Sequence, residues 1–276
     1  MNHRQTLINT LQNKIQQKDF LVAAGVDSLS QVKCCQDVNC DLILLYPVSK
    51  NKTSQNPFLA GYLAFGNTND LMLQAASEIM PIINSKNVLA GLNGSDPFKI
   101  DSLLLKQIQQ HHFAGIHNYP AMSLVDGKFG TNIDYLNLGI DKEISLMKTA
   151  LHNDLFTCAM VQTKKQVHAM LKNNVDMLIF YIGLGEQGTP PSPRKKQQLI
   201  HQLQELTHTA KTIKPQIPLL FFDETITTID EIQFMKHEVP DIDGYCLLPV
   251  TNSGYSEKRL SLEIKQLKSL SRNSNR

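Results

Sequence analysis

Residues 87–130 read NVLAGLNGSDPFKIDSLLLKQIQQHHFAGIHNYPAMSLVDGKFG, and this stretch decides the fold. Two apolar runs of strand length, Asn87–Leu92 and Phe113–Tyr119, flank an amphipathic helix centred on Leu103–Gln110. Each run gives way at once to polar groups and turn formers. Asn93, Gly94, Ser95, Asp96 and Pro97 follow the first; Asn118, Tyr119 and Pro120 end the second. That is a βαβ unit with its chemistry at the strand ends, the edge where parallel sheets and barrels meet ligands.

The rest of the chain repeats the unit. Upstream, Leu7, Leu11 and Ile15 mark a leading helix at helical spacing. Strand one is Phe20–Ala24, followed by a helix over Ser28–Asp37 with Ser28 as its cap, and strand two is Asp41–Tyr46. After a long gap, a helix picks up at Asp70 and closes before Pro81-Ile82. Downstream of Asp126-Gly127, a turn signal in a long loop over Pro120–Leu136, comes a helix with Ile140, Ile144, Met147 and Leu151 on one stripe. Strand five (Leu155–Met160), a helix over Lys164–Lys172 and strand six (Val175–Tyr181) follow. Then come a glycine and proline loop over Gly183–Pro193, a long helix ending near Ile213, and strand seven (Ile217–Phe222). A helix over Thr228–His237, strand eight (Ile242–Leu248) and a helix over Ser256–Ser269 complete the chain.

Eight continuously apolar strands, covered on both faces, alternate with helices. Segments after strands two, four and six are long, whereas helix-to-strand turns such as His112 and Asn173-Asn174 are minimal. The reading is α/β: a single-domain (β/α)8 barrel with an N-terminal extra helix, elaborated at its carboxyl end. An open doubly wound sheet is the alternative. Residues 1–19 form a helix capping the barrel, 20–270 the barrel, and 271–276 a frayed tail.

Composition narrows the function. A net charge of +2 over 276 residues, with Lys and Arg scattered, gives no nucleic-acid footprint. No apolar run reaches the ~20 residues of a membrane span, and the amino terminus lacks a signal-peptide core. Five cysteines show no CxxC or zinc spacing, so free thiols in a reducing, cytoplasmic setting are expected.

Candidate chemistry lies at the strand ends. Asn93, Gly94, Ser95 and Asp96 can hold a substrate oxygen or simply turn the chain into a helix. Of His117 and Asn118, alternation sends one into the barrel and the other toward the helices. His117 reads as a general acid or base or as a satisfied core histidine, and Asn118 as an orienting hydrogen-bond donor. Asp126 lies in the loop after strand four. Asp223 and Glu224 close strand seven, where carboxylates suit either a magnesium ion or a polar rim. Gly183-Leu-Gly185-Glu-Gln-Gly188 matches GxGxxG, but Thr189-Pro190-Pro191-Ser192-Pro193 separates it from any helix, so it reads as a loop over the barrel mouth.

AGLNGSDPF and FAGIHNYPAMSLVDGKF, with LAGYLAFGNTND upstream, resemble the phosphoenolpyruvate hydrolase-like family of TIM barrels. That family is also called TIM-barrel signal transduction proteins and extends to the carboxyl-terminal barrel of plant tobamovirus-resistance proteins. The resemblance implies the barrel fold, self-association into a homo-oligomer, and hydrolase or lyase activity on a small phosphoenolpyruvate-like or keto-acid metabolite. Relatives in the phosphoenolpyruvate mutase group use magnesium. Asp96, His117, Asn118 and Asp126 would then be catalytic. Gly25, Tyr46, Asn93, Gly94, Ser95 and Tyr181 would bind substrate, and Asp223 and Glu224 would hold metal. The pattern lapses toward the carboxyl terminus. Tyr181-Ile182-Gly183 stands for His-Met-Gly, Phe222-Asp223-Glu224 for His-Gly-Gly, and Leu247-Leu248-Pro249-Val250 for Gly-Ala-Ser-Ser. A non-catalytic barrel that binds a metabolite or protein partner is the second reading.

Overall fold

The computed structural model describes residues 3–46, 66–183, 191–226, 228–249 and 255–270. Eight parallel strands close in sequence order, and β1 pairs with both β2 and β8. They are β1 Leu21–Val26, β2 Leu42–Leu45, β3 Val88–Leu92, β4 Gly115–Asn118, β5 Phe156–Val161, β6 Met177–Gly183, β7 Leu219–Asp223 and β8 Gly244–Leu247. Helix α1 (His3–Gln16) precedes the ring. The others are α2 Leu29–Asp37, α3 Thr68–Ile79, α4 Asp101–Gln110, α5 Gly127–Tyr135, α6 Ile140–His152, α7 Lys164–Lys172, α8 Pro193–Ile213, α9 Ile229–Glu238 and α10 Glu257–Ser269. The closed ring rules out the open sheet.

Local chemistry explains the regularity. Helices α2, α4, α6 and α7 each run into the next strand through one left-handed residue: Asn39, His112, Asp154 and Asn174, with φ between 54° and 62°. Such a residue ends a helix by turning the chain back on its last carbonyls, and Asn and Asp tolerate it best among residues with a side chain. At the other end, Ser28, Asn67, Thr163, Ser192, Thr228 and Ser256 accept backbone N–H groups as helix caps.

Two expectations need correction. The stretch over Pro120–Leu136 is not a loop: a 3-10 turn at Met122–Leu124 leads into α5. Asp126 sits at the amino-terminal cap position of that helix, so Asp126-Gly127 marks a helix start rather than a reverse turn. None of the residues of α5 is buried, although Phe129, Ile133 and Leu136 recur at helical spacing. In α6 the buried face is Glu143, Leu146, Met147 and Ala150, rotated from the predicted stripe, so Ile144 and Leu151 are only partly covered. The GxGxxG segment, apart from Gly183 itself, lies outside the described residues.

The amino-terminal end of the ring is fastened by acids placed just before β2, β6 and β8. Asp41 accepts the Val22 N–H at 2.8 Å, Asp176 the Thr157 N–H at 3.0 Å, and Asp243 the Leu219 N–H at 2.9 Å. Each is met by cations: Asp41 by Lys14 and Lys268, Asp176 by Arg4, and Asp243 by Lys211. Arg4 is bidentate, at 2.7 and 2.9 Å, and with Lys14 it ties α1 across the bottom of the barrel while Leu7 and Leu11 bury their side chains. A planar guanidinium on a carboxylate is the strongest geometry for such a pair.

Candidate functional site

The strands carry their side chains alternately inward and outward, and one contact fixes which is which. The Tyr46 hydroxyl, just past β2, donates to Met160 Sδ in β5 at 3.6 Å. Strands β2 and β5 are not neighbours in the ring, so this contact crosses its axis. His117 shares that interior: its ring centroid lies 4.7 Å from that of Tyr46. Tyr181 stands two residues beyond Ile179, the register partner of Met160, and packs on Phe222 with centroids 5.1 Å apart. Leu248 closes the layer. A Cβ built on Gly25 would come within 2.5 Å of Leu248 Cδ2 and 2.7 Å of the Tyr46 ring, so glycine there makes room for the filling.

Tyr46, His117, Met160, Tyr181, Phe222 and Leu248 thus form one buried layer across the carboxyl end of the ring. His117 Nε2 lies 3.1 Å from the Leu45 carbonyl, which can only accept. The proton of the neutral ring therefore sits on Nε2, and Nδ1 is left as a bare acceptor. Among the described residues Nδ1 meets no partner. Burial pushes the imidazole down to about 4, so it is neutral at physiological pH. Burial, with the charges of Glu224 and Asp223, pushes the Tyr181 phenol up.

The remaining candidates point elsewhere. Asn93, Gly94, Ser95 and Asp96 form a turn that fastens β3 to its neighbours. The Asp96 carboxylate accepts from Asn67 Nδ2 at 2.8 Å, Asn69 Nδ2 at 2.9 Å and the Phe98 N–H at 2.9 Å. Burial pushes its pKa up, but these hydrogen bonds and the Lys99 charge outweigh it and hold the group below the usual carboxylate range. Asn93 Oδ1 accepts the Ser95 N–H, the Asn93 N–H goes to Asn69 Oδ1, and Ser95 Oγ reaches the Gly139 carbonyl at 3.5 Å. Gly94 lies so close to α6 that a Cβ would fall 2.6 Å from Glu143 Cα.

Asn118 faces the helices. Its Oδ1 accepts the Met160 N–H at 2.7 Å and its Nδ2 donates to the Met160 carbonyl at 3.1 Å, extending the β4–β5 ladder by a side chain. Nδ2 also donates to Glu143 Oε2 at 2.9 Å, and the Met122 N–H donates to Oε1 at 2.5 Å. Glu143, absent from the candidates drawn from sequence, is wholly buried, and burial raises it to about 7 against those two hydrogen bonds. Its signal is an acid among Ile140, Ile144 and Met147, on the face of α6 that packs inward. Asp126 is exposed and caps no N–H with its side chain.

Asp223 and Glu224 close β7, on the opposite side of the eight-membered ring from β3. Asp223 Oδ1 is taken by the Thr225 N–H at 2.7 Å and by the Thr225 hydroxyl, while Oδ2 meets no partner among the described residues. Burial raises this carboxyl. Among the described residues no three His, Cys, Asp or Glu side chains converge on one point. Magnesium takes one or two carboxylates and completes its octahedron with waters, so Asp223, whose Oδ2 is open, fits as one such ligand. Gly25, Tyr46, His117 and Tyr181 are brought together at the axis; Asn93, Gly94, Ser95, Asp96, Asn118 and Asp126 are not.

These features define an α/β barrel whose carboxyl end is floored by aromatic and aliphatic side chains around a neutral histidine. The chain belongs to the phosphoenolpyruvate hydrolase-like family, whose model matches residues 6–270. It is similar to the ToMV susceptible protein tm-1(GCR26) of Solanum lycopersicum, 24% identical over 276 residues, covering 98% of this chain and 36% of that one. The ToMV resistance protein Tm-1(GCR237) of the same plant matches equally, at 24%. The chain thus spans about a third of the length of these curated relatives. Among solved structures, Mycobacterium tuberculosis tryptophan synthase superposes with a TM-score of 0.60 at 12% identity, over 96% of this chain and 98% of that one. A 2,3-dimethylmalate lyase of the PEP mutase/isocitrate lyase superfamily gives 0.56 at 14%, over 99% and 89%. At such identities the likeness is one of fold. No helix among the described residues is long and apolar enough to cross a membrane.

Proposed function

We propose that this chain is a non-catalytic barrel of its family, a cytoplasmic regulatory module that keeps the frame and has given up the family's reaction. The filled carboxyl end carries the reading. Tyr181, Phe222 and Leu248 stand at three of the positions where the motif reading expects other residues, and together with Tyr46 they pack across the carboxyl end of the ring. The acids that would work on a substrate are divided between opposite sides of the ring. Asp96 and Asn118 spend their hydrogen-bonding groups on the fold. His117, held near 4, is a weak base, and general base catalysis works best with a pKa near the operating pH.

One observation favours a second reading, a hydrolase or lyase acting on a phosphoenolpyruvate-like or keto-acid metabolite. The bare His117 Nδ1 and Asp223 Oδ2 are buried acceptors left open at the end of the barrel where ligands bind. A thermal-shift and turnover series with phosphoenolpyruvate, oxaloacetate and other keto acids, each with and without magnesium, separates the two. A ligand of the folded state raises the melting temperature. The non-catalytic reading expects neither a shift nor product. Release of phosphate or pyruvate that His117→Ala abolishes would establish the enzyme.

A further inference from the structure

At the amino-terminal end of the barrel, cations meet acids: Lys14 and Lys268 at Asp41, Arg4 at Asp176, and Lys211 at Asp243. One place breaks that pattern. Where α6 and α7 run into β5 and β6, a groove of about 340 Å³ is lined by Arg4, Lys148, Leu151, His152, Lys172 and the Asn173-Asn174 turn. Among the described residues no acid lines it, and Leu151 is its one apolar side chain. The side chains of Lys148, His152 and Lys172 form no ion pair or hydrogen bond among the described residues. The acids nearby do not answer them. Asp176 is bound to Arg4 through both oxygens, and the exposed Asp154 acts on Arg4 through its charge.

We infer that this groove is an anion site at the foot of the barrel, and that it takes a small phosphate-bearing molecule. Cations in the last turn of a helix answer its terminal carbonyls, which accounts for His152 on α6 and Lys172 on α7. Lys148 stands a full turn earlier in α6, so the helix end does not account for it. Like charges gathered around one groove repel, and an anion with several oxygens relieves the repulsion by accepting from all of them. The donors are part fixed and part adaptable. Asp176 holds the Arg4 guanidinium in place, while the lysines are point charges on flexible stems, a form that suits phosphate. Size narrows the ligand further. The volume lies at the lower end of the range for ligand pockets, and a single leucine gives no bed for a ring system or an acyl chain. A compact phosphate ester or the free ion fits. The groove lies at the opposite end of the ring from His117 and Asp223, so the inference stands whichever reading of the barrel mouth holds.

The test is equilibrium dialysis of the full chain at constant ionic strength, with labelled inorganic phosphate in one arm and labelled glycerol 3-phosphate in the other. Wild type is compared with the double variant Lys148→Gln with Lys172→Gln, and with Lys106→Gln, an exposed lysine on α4, as control. Wild type and control should take up one anion per chain saturably, and the double variant should bind it at least about 10-fold more weakly, as loss of two charge-assisted hydrogen bonds implies. Tighter uptake of glycerol 3-phosphate assigns the groove to an ester, and tighter uptake of inorganic phosphate assigns it to the free ion. A cooperative melt without phosphate confirms that the double variant is folded; both lysines are exposed, and Lys148→Gln alone serves if it is not. No saturable uptake of either anion at millimolar concentration overturns the inference. So does uptake that the lysine variants retain in full, because that anion sits elsewhere on the chain.

Discussion

The two ends of this barrel solve the same problem in different ways. At the amino-terminal end, buried acids are paired: Asp41, Asp176 and Asp243 each join a backbone N–H to a lysine or arginine. At the carboxyl end, His117, Glu143 and Asp223 form no ion pair among the described residues. His117 is neutral among aromatic rings, Glu143 is held by an amide and a backbone N–H, and Asp223 keeps one oxygen bare. A buried ion pair is costly to break, whereas an isolated buried group avoids the cost by losing its charge. The amino-terminal end should therefore dominate stability, and the carboxyl end should dominate its dependence on pH.

The largest effect belongs to the paired end. Asp176→Ala strips Arg4 and the Thr157 N–H of their shared acceptor, and urea denaturation should show a loss of about 3–5 kcal/mol. A loss below about 1 kcal/mol would erase the contrast between the ends.

Glu143→Gln tests the other half. The folded state raises this acid from 4.5 to about 7, so its stabilising contribution is complete below pH 4.5 and is lost as pH rises to 7. The span corresponds to about 3 kcal/mol. His117 runs the opposite way. Depressed from 6.5 to about 4, it contributes fully above pH 6.5 and is lost as pH falls through 4. In wild type the two slopes oppose each other between pH 4.5 and 6.5, and stability should be nearly flat there. In Glu143→Gln the histidine slope stands alone, so stability should climb with pH over that interval. A variant as flat as wild type would show that Glu143 is not the compensating group.

The smallest effects separate two acids that rank together by sequence. Asp96→Ala frees Asn67, Asn69 and the Phe98 N–H and should cost about 1–2 kcal/mol. Asp126→Ala removes an exposed side chain with no cap hydrogen bond and should stay within about 0.5 kcal/mol. Equal costs would mean that Asp126 has a structural role its exposure does not reveal.

Much of the ring is legible in the sequence because a strand covered on both faces reads as an unbroken apolar run, as in DLILLY and VDMLIFY. The helix-to-strand turns are legible too, since Asn174 and His112 sit where a left-handed residue ends a helix. The site is harder. Alternation says that His117 and Asn118 face opposite ways, but only the contact across the axis shows that His117 is the inward one. Strand order places β3 opposite β7, which already separates Asp96 from Asp223; ending a strand is not enough to bring two acids together. Glu143 escapes because a stripe drawn through Ile144 and Leu151 leaves it outside, and a small rotation about the axis of α6 puts the acid inside. Helix α5 escapes although Phe129, Ile133 and Leu136 recur at helical spacing, because Asp126-Gly127 before them reads equally well as a reverse turn.

The filled floor of the carboxyl end is tested most directly by following the His117 imidazole by NMR from pH 8 down to pH 4. A ring sealed beneath Tyr46 and bonded to the Leu45 carbonyl should stay neutral, protonated on Nε2, until the pH falls to about 4. Titration near 6.5, the value of a solvated histidine, would show an open pocket with a working base in it and would contradict the non-catalytic account.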